Sequence, residues 1–292
     1  MKKKISSRTG MTAPAKREHT PGNRGFTSER LSFNRKMVAA SAAVTASKST
    51  IHSLCEADVT VPRQIMREHH ERTGEKLSFT AYIVYCLAQV VKEHPHLNAF
   101  RTGNRLITLD DVTVSVLVER DISGERVPEP LAIEAAQNLT FREINERIRS
   151  ARTRTEESLG GFSGMTWIRL IPGFLLKAFF RLGNRNISLA KRYGKVAVTA
   201  VGMFSREPVW FIPHGSGTVL ITVGSIEKRM VLNGERHEER EFLCLTGSFD
   251  HDIVDGAPAA RFMNQFLETL KSGMGLGGGT LIPGGSESGI AQ

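Results

Sequence analysis

The chain has 292 residues, 40% of them hydrophobic and 24% charged, which is enough for one large domain or two small ones. Its formal charge of +9 is local. Residues 1–30 hold eight Lys/Arg against two Glu, residues 158–206 hold eight Lys/Arg and no carboxylate, and the remainder is acidic. That distribution excludes a general nucleic-acid footprint. No run of 18 apolar residues is present to span a membrane, and the basic N-terminus lacks the apolar segment of a secretory signal. Cys55, Cys86 and Cys244 lie in apolar contexts with no metal-ligand spacing. They read as free buried thiols of a reducing, cytoplasmic compartment, with no metal site.

In chain order, residues 1–30 are rich in Lys, Arg, Ser, Thr, Gly and Pro and predict a disordered tail. A helix follows over 31–50, capped at Ser32 or Asn34, then a strand over 53–60 and a helix over 61–72. Phe79, Ile83, Leu87, Val90 and Val91 recur at helical spacing and predict a core helix over 77–94. His94 and His96 flank Pro95, but nothing completes a ligand set, so they read as helix-end residues. Strands over 105–109 and 112–118 are joined by Asp110-Asp111, and the second alternates strictly. Thr140 with Glu143 three residues on forms a capping box, opening a helix through Ile144, Ile148 and Arg152. Residues 167–182 are apolar, basic and interrupted by Pro172-Gly173. They suit an amphipathic helix buried against the core or a sister subunit, lying on a membrane surface, or closing over a site as a lid.

Strands are expected over 194–204 and 215–224; the glycines of the second do not make a P-loop, since no Gly-Lys-Ser/Thr follows. A further strand over 241–246 leads through a polar turn into a helix over 258–270, with Ala259, Phe262, Met263, Phe266 and Leu270 on its apolar face. Asp255 is placed to cap that helix. Residues 273–292 are Gly-rich and read as a flexible tail. The turn carries His251, Asp255 and Gly256, a His-x-x-x-Asp-Gly spacing. A histidine between a strand end and a helix start is rigidly held, and imidazole titrates near neutrality, which suits a base.

Several segments then recur in a fixed order: Arg35-Lys36-Met37-Val38-Ala39, Ser47-Lys48-Ser49-Thr50, Asn98-Ala99, Gly124 with Val127-Pro128, Thr199-Ala200-Val201-Gly202, Gly224-Ser225-Ile226 and the His251 motif. Together they resemble the catalytic domain of the acyltransferase component of 2-oxoacid dehydrogenase complexes, and more distantly chloramphenicol acetyltransferase. The resemblance covers residues 31–272, with an apolar basic insertion at 157–193. It implies an α/β fold, a chloramphenicol-acetyltransferase-like two-layer sandwich with a mixed sheet and helices. It makes His251 the general base and Asp255 a supporting residue paired with Arg35, beside Gly256. Thr199 stands where relatives have the serine that donates to the oxyanion, and Ala200 replaces their asparagine. Ser41 and Ile51 replace an arginine and a proline of many relatives.

The function implied is acyl transfer between coenzyme A, as a substrate, and a thiol such as dihydrolipoamide. The Asp-Lys-Ala turn of a lipoyl domain and a small subunit-binding domain are not found in the sequence, so the lipoyl group is expected in trans, on a carrier domain. A homotrimer or an assembly of trimers is implied, with His251 of one chain meeting Thr199 of its neighbour. The positive charge of the insertion would attract coenzyme A phosphates or an acidic carrier. Two readings stay open beside this one: a coenzyme A-dependent O-acyltransferase acting on a small molecule or lipid, and a non-catalytic scaffold of the same fold.

Overall fold

The computed structural model describes residues 28, 31–122, 125–153, 173–202, 205 and 207–277. The tails expected over 1–30 and 273–292, and much of the insertion, fall largely outside that set. The elements begin with α1 (Phe33–Thr45), β1 (Thr50–Asp58), α2 (Thr60–Thr73), α3 (Phe79–Glu93), β2 (Ala99–Thr102), β3 (Arg105–Thr108), β4 (Val114–Ile122) and β5 (Glu125–Ile133). They continue with α4 (Phe141–Thr153), α5 (Gly173–Arg185), α6 (Ile187–Tyr193), β6 (Val196–Ala200), β7 (Val219–Asn233), β8 (Arg236–Asp250) and α7 (Gly256–Lys271).

Six strands form one mixed sheet in the order β1-β8-β7-β6-β4-β5, and β2 pairs with β3 apart from it. β4, β6 and β7 run parallel, while the β1–β8, β7–β8 and β4–β5 pairs are antiparallel. Alternation assigns the two faces. Val196, Val198, Ile221, Leu243, Leu245 and Phe249 turn one way into a core shared with α3 and α7. Thr199, Thr222, Thr246 and Ser248 turn the other way. α3 is buried from Ala81 to Val91 except at Tyr85 and Gln89, as befits a helix apolar on nearly every side. α7 lays Phe262 and Phe266 onto that core, and the Tyr82 hydroxyl donates to the Leu270 carbonyl at 2.8 Å, closing the helix pair.

The α/β sandwich with a mixed sheet is therefore the observed fold. The capping box is formed: Thr140 N–H donates to Glu143 Oε2 at 2.7 Å, and Glu143 N–H to Thr140 Oγ1 at 3.3 Å. Some boundaries differ from expectation. α1 ends at Thr45, which lets β1 begin at Thr50. β5 is a strand despite Pro128 and Pro130, because it is the sheet's edge and its missing N–H groups need no partner on the open side. β7 and β8 extend far beyond their apolar halves as a charged hairpin. Its turn is Asn233-Gly234-Glu235, where Gly234 adopts φ +62°.

Candidate active site

The turn after β8 is held from several sides. Asp250 N–H donates to the Thr218 carbonyl at 3.0 Å, and His251 N–H donates to the Ser49 carbonyl at 2.7 Å. The Asp250 carbonyl accepts from Ile253 and Val254, and its Oδ1 accepts from Asp252 N–H at 3.2 Å. Oδ2 of the same residue, whose side chain is only 8% exposed, pairs with Lys48 Nζ at 2.5 Å. Lys48 also donates to the Ser216 carbonyl at 3.0 Å. One lysine thus ties the entry to β1, the loop before β7 and the end of β8 together around His251.

The His251 side chain is 44% exposed. Its Nδ1 lies 3.0 Å from the Val254 carbonyl, an acceptor only, so the neutral ring carries its proton on Nδ1. Nε2 then keeps its lone pair, which is the arrangement a base requires. Asp255 Oδ1 lies 3.7 Å from Nδ1. Asp255 occupies the N-cap of α7, but its carboxylate makes no capping hydrogen bond and is 86% exposed. Asp252 pairs with Arg101 at 3.1 Å. Among the described residues Asp255 is the one carboxylate of this turn without a cationic side chain of Lys or Arg beside it.

Thr199 lies elsewhere. Its row across the sheet is Thr199–Thr222–Thr246, three hydroxyl residues on the face away from α3 and α7. The hydroxyls of Thr222 and Thr246 are buried with no hydrogen-bond partner among the described residues. His251 is five residues beyond that row along β8 and two strands across, so the two side chains are separated by about 16 Å along the strands and about 10 Å across them. They cannot act on one atom within one chain. The exit from β6 is fixed by close backbone contact: a Cβ on Gly202 would stand 1.6 Å from the Gly224 carbonyl oxygen, and one on Gly224 would stand 2.1 Å from that of Val209. Both glycines lie in segments that carry the family resemblance, and packing of bare backbone on bare backbone is the reason for them.

The remaining expected residues divide. The Arg35–Asp255 ion pair is not formed within the chain. Arg35 is exposed on α1, whose Met37 and Ala40 pack on Leu176 and Phe180 of α5, and that packing presents Arg35 to solvent. Gly256 opens α7 with open space where a Cβ would stand, so one chain alone does not demand glycine there. Burial pushes the Cys55 thiol up to about 11 and the Cys86 thiol up to about 12, and raises Cys244 as well, so none is a ready thiolate near neutrality.

Sequence reasoning missed Lys48 and Asp250 as a pair. Lys48 was noted in its Ser-Lys-x-Thr segment and Asp250 directly precedes the histidine, but nothing local joins positions so far apart in the chain. It also missed Lys195, which is buried with Nζ over the Phe100 ring at 4.9 Å. Burial first, and the charge of Lys48 second, push its ammonium down to about 8.

The family described as 2-oxoacid dehydrogenases acyltransferase (catalytic domain) matches residues 24–166 and 191–276. The acetyltransferase component of the acetoin cleaving system of Bacillus subtilis (strain 168) is 25% identical over 212 residues, 73% of this chain and 46% of that protein. The succinyltransferase component of the 2-oxoglutarate dehydrogenase complex of Staphylococcus aureus (strain N315) is 23% identical over 278 residues, 91% of this chain and 58% of that protein. The chain thus spans about half the length of such relatives. Among solved structures, a probable dihydrolipoamide acetyltransferase from Listeria monocytogenes 4b F2365 has the same fold, with a TM-score of 0.62, 20% identity, and 85% and 96% of the two chains covered. The dihydrolipoamide acetyltransferase of Azotobacter vinelandii superimposes with a TM-score of 0.61 at 16% identity, over 87% and 97% of the two chains. With the mixed sheet, the strand–turn–helix that presents His251 and a family match over most of its length, the chain belongs to the catalytic domains of the 2-oxoacid dehydrogenase acyltransferases.

Proposed function

We propose that this chain transfers an acyl group between coenzyme A and a thiol, with a dihydrolipoyl group on a carrier domain as acceptor or donor. One observation carries the reading: His251 sits on a rigid turn, in the tautomer that leaves Nε2 free to take a proton. Its spacing to Asp255 equals that between the histidine and the asparagine named in the catalytic mechanism of the Azotobacter vinelandii enzyme.

Nε2 removes the proton of the acceptor thiol as its sulfur bonds to the thioester carbonyl carbon. The carbonyl oxygen becomes an oxyanion and accepts a hydrogen bond from a threonine hydroxyl at position 199. The tetrahedral species collapses, the carbon–sulfur bond to coenzyme A breaks, and the departing sulfur regains the proton from the imidazolium. No acyl-enzyme is needed, and the raised thiols of Cys55, Cys86 and Cys244 fit direct transfer between two bound substrates.

The separation of Thr199 and His251 along the sheet favours a site built by two copies, each giving one of the two groups. A trimer, or an assembly of trimers, is the arrangement we infer; a structure of similar fold is the cubic core of a pyruvate dehydrogenase multienzyme complex. The purified protein with acetyl-, succinyl- and branched-chain acyl-coenzyme A should release coenzyme A only when dihydrolipoamide is present. His251→Ala should lower the turnover by about 10²- to 10⁴-fold. Transfer to hydroxyl acceptors with none to dihydrolipoamide would refute the thiol reading. Undiminished turnover in His251→Ala would refute the base.

A further inference from the structure

α5 lies wholly within residues 167–190, the stretch the family pattern passes over. It is an addition to the fold that acyl transfer does not explain. Its inward stripe is Leu176 and Phe180, packed on Met37 and Ala40 of α1. Its C-terminal end is tied down by Lys195 Nζ, which donates to the Asn184 carbonyl at 3.2 Å, and by Thr102 Oγ1, which donates to the Arg185 carbonyl at 3.3 Å. The helix is therefore anchored on one side, and Leu175, Lys177, Arg181 and Leu182 on the opposite side are exposed.

That opposite side carries two ridges. Leu175, Ala178 and Leu182 recur at spacings of three and four and are exposed, Leu175 at 46% and Leu182 at 69%. Lys177, Arg181 and Arg185 recur at spacings of four and form the parallel ridge, also exposed. No carboxylate occurs between Glu157 and Glu207. α1, the helix packed beside α5, has no acidic residue and adds exposed Arg35 and Lys36. A surface of one sign with leucines standing out of it complements an anionic bilayer. Leucines enter the acyl boundary while Lys and Arg extend to the phosphates. A nucleic-acid backbone would use the cations but leave the leucines in water.

We propose that α5 docks this protein on anionic lipid membranes as an interfacial helix. The test is flotation of the full chain with vesicles of equal parts phosphatidylglycerol and phosphatidylcholine, against phosphatidylcholine alone. The expected result is binding to the anionic vesicles only, weakening as salt is raised. The triple variant Lys177→Gln, Arg181→Gln, Arg185→Gln should lower partitioning on the order of 100-fold. The double variant Leu175→Asn, Leu182→Asn should lower it about 10-fold or more, with the unfolding midpoint and oligomer size of both variants unchanged. Three results would overturn the proposal: no binding to anionic vesicles; binding by both variants equal to that of the parent chain, which would place the contact outside α5; or α5-dependent capture of an acidic carrier protein with vesicles left unbound.

Discussion

Around His251 the charges are arranged in pairs, and the pairing holds the turn that carries it. Asp250 is answered by Lys48 and Asp252 by Arg101, while Asp255 lies closest to the ring. Lys195 adds a buried cation on the Lys48 side. Removing Lys48 takes away both the cation paired with the buried Asp250 carboxylate and the donor to the Ser216 carbonyl, so the turn that carries His251 loses its tie to the entry of β1 and the loop before β7. Lys48→Met should therefore lower the unfolding free energy by about 1–3 kcal/mol, read as a lower denaturant midpoint, and Lys48→Arg should restore part of it. The oxyanion contact proposed for Thr199 is made by its hydroxyl, not its methyl. Thr199→Ala should cost about 10²- to 10³-fold in kcat with little change in KM, and Thr199→Ser should retain most of the rate.

Among the elements, α2 is joined to β8 through a buried carboxylate. Glu241, with its side chain 7% exposed, accepts from Arg63 Nε at 2.7 Å and from Arg67 Nη1 at 2.9 Å. Burial alone would raise its pKa, but the hydrogen bonds from Arg67 and Arg63 outweigh it and hold the carboxyl below its ordinary range. A pKa lower in the fold than in the unfolded chain gives stability that is complete above the ordinary glutamate range. That stability is lost as pH falls through the folded value. Glu241→Gln should therefore lower the unfolding free energy at pH 7 by about 1–3 kcal/mol. The loss should shrink towards zero in acid, where the parent carboxyl is itself protonated; denaturant melts at both pH values measure it.

The elements legible in the sequence were those whose pattern is local. α3 and α7 show an apolar period, α4 shows its capping box, and the His251 turn lies between a strand and a helix pattern. β5 was hidden by prolines that only an edge position tolerates. The outer hairpin was hidden because its residues, such as Lys228 with Glu239 and Arg229 with Glu227, satisfy one another by ion pairs rather than by burial. Arg35 could not be placed from its own segment, because α5, from the distant insertion, decides how α1 sits. The Thr199 row was invisible for a similar reason: register between strands far apart in the chain is a property of the assembled sheet.

For the whole molecule, the question is whether one chain contains a complete site. The sheet keeps Thr199 and His251 apart by several residues of strand and two strand spacings, a distance no side chain bridges. If two copies complete the site, damage at the two positions is complementable. Chains carrying His251→Ala and chains carrying Thr199→Ala, each nearly inactive alone, should regain activity when unfolded together and reassembled. In a cyclic oligomer with random mixing of equal amounts, a site is intact when the chain giving position 251 and its neighbour giving position 199 are both of the right kind. That recovers about one quarter of the parent turnover. A site within one chain predicts no recovery, because every chain then carries a defect in its own site. Mixing the proteins without reassembly is the matched control, since subunits that do not exchange cannot form the hybrid interface.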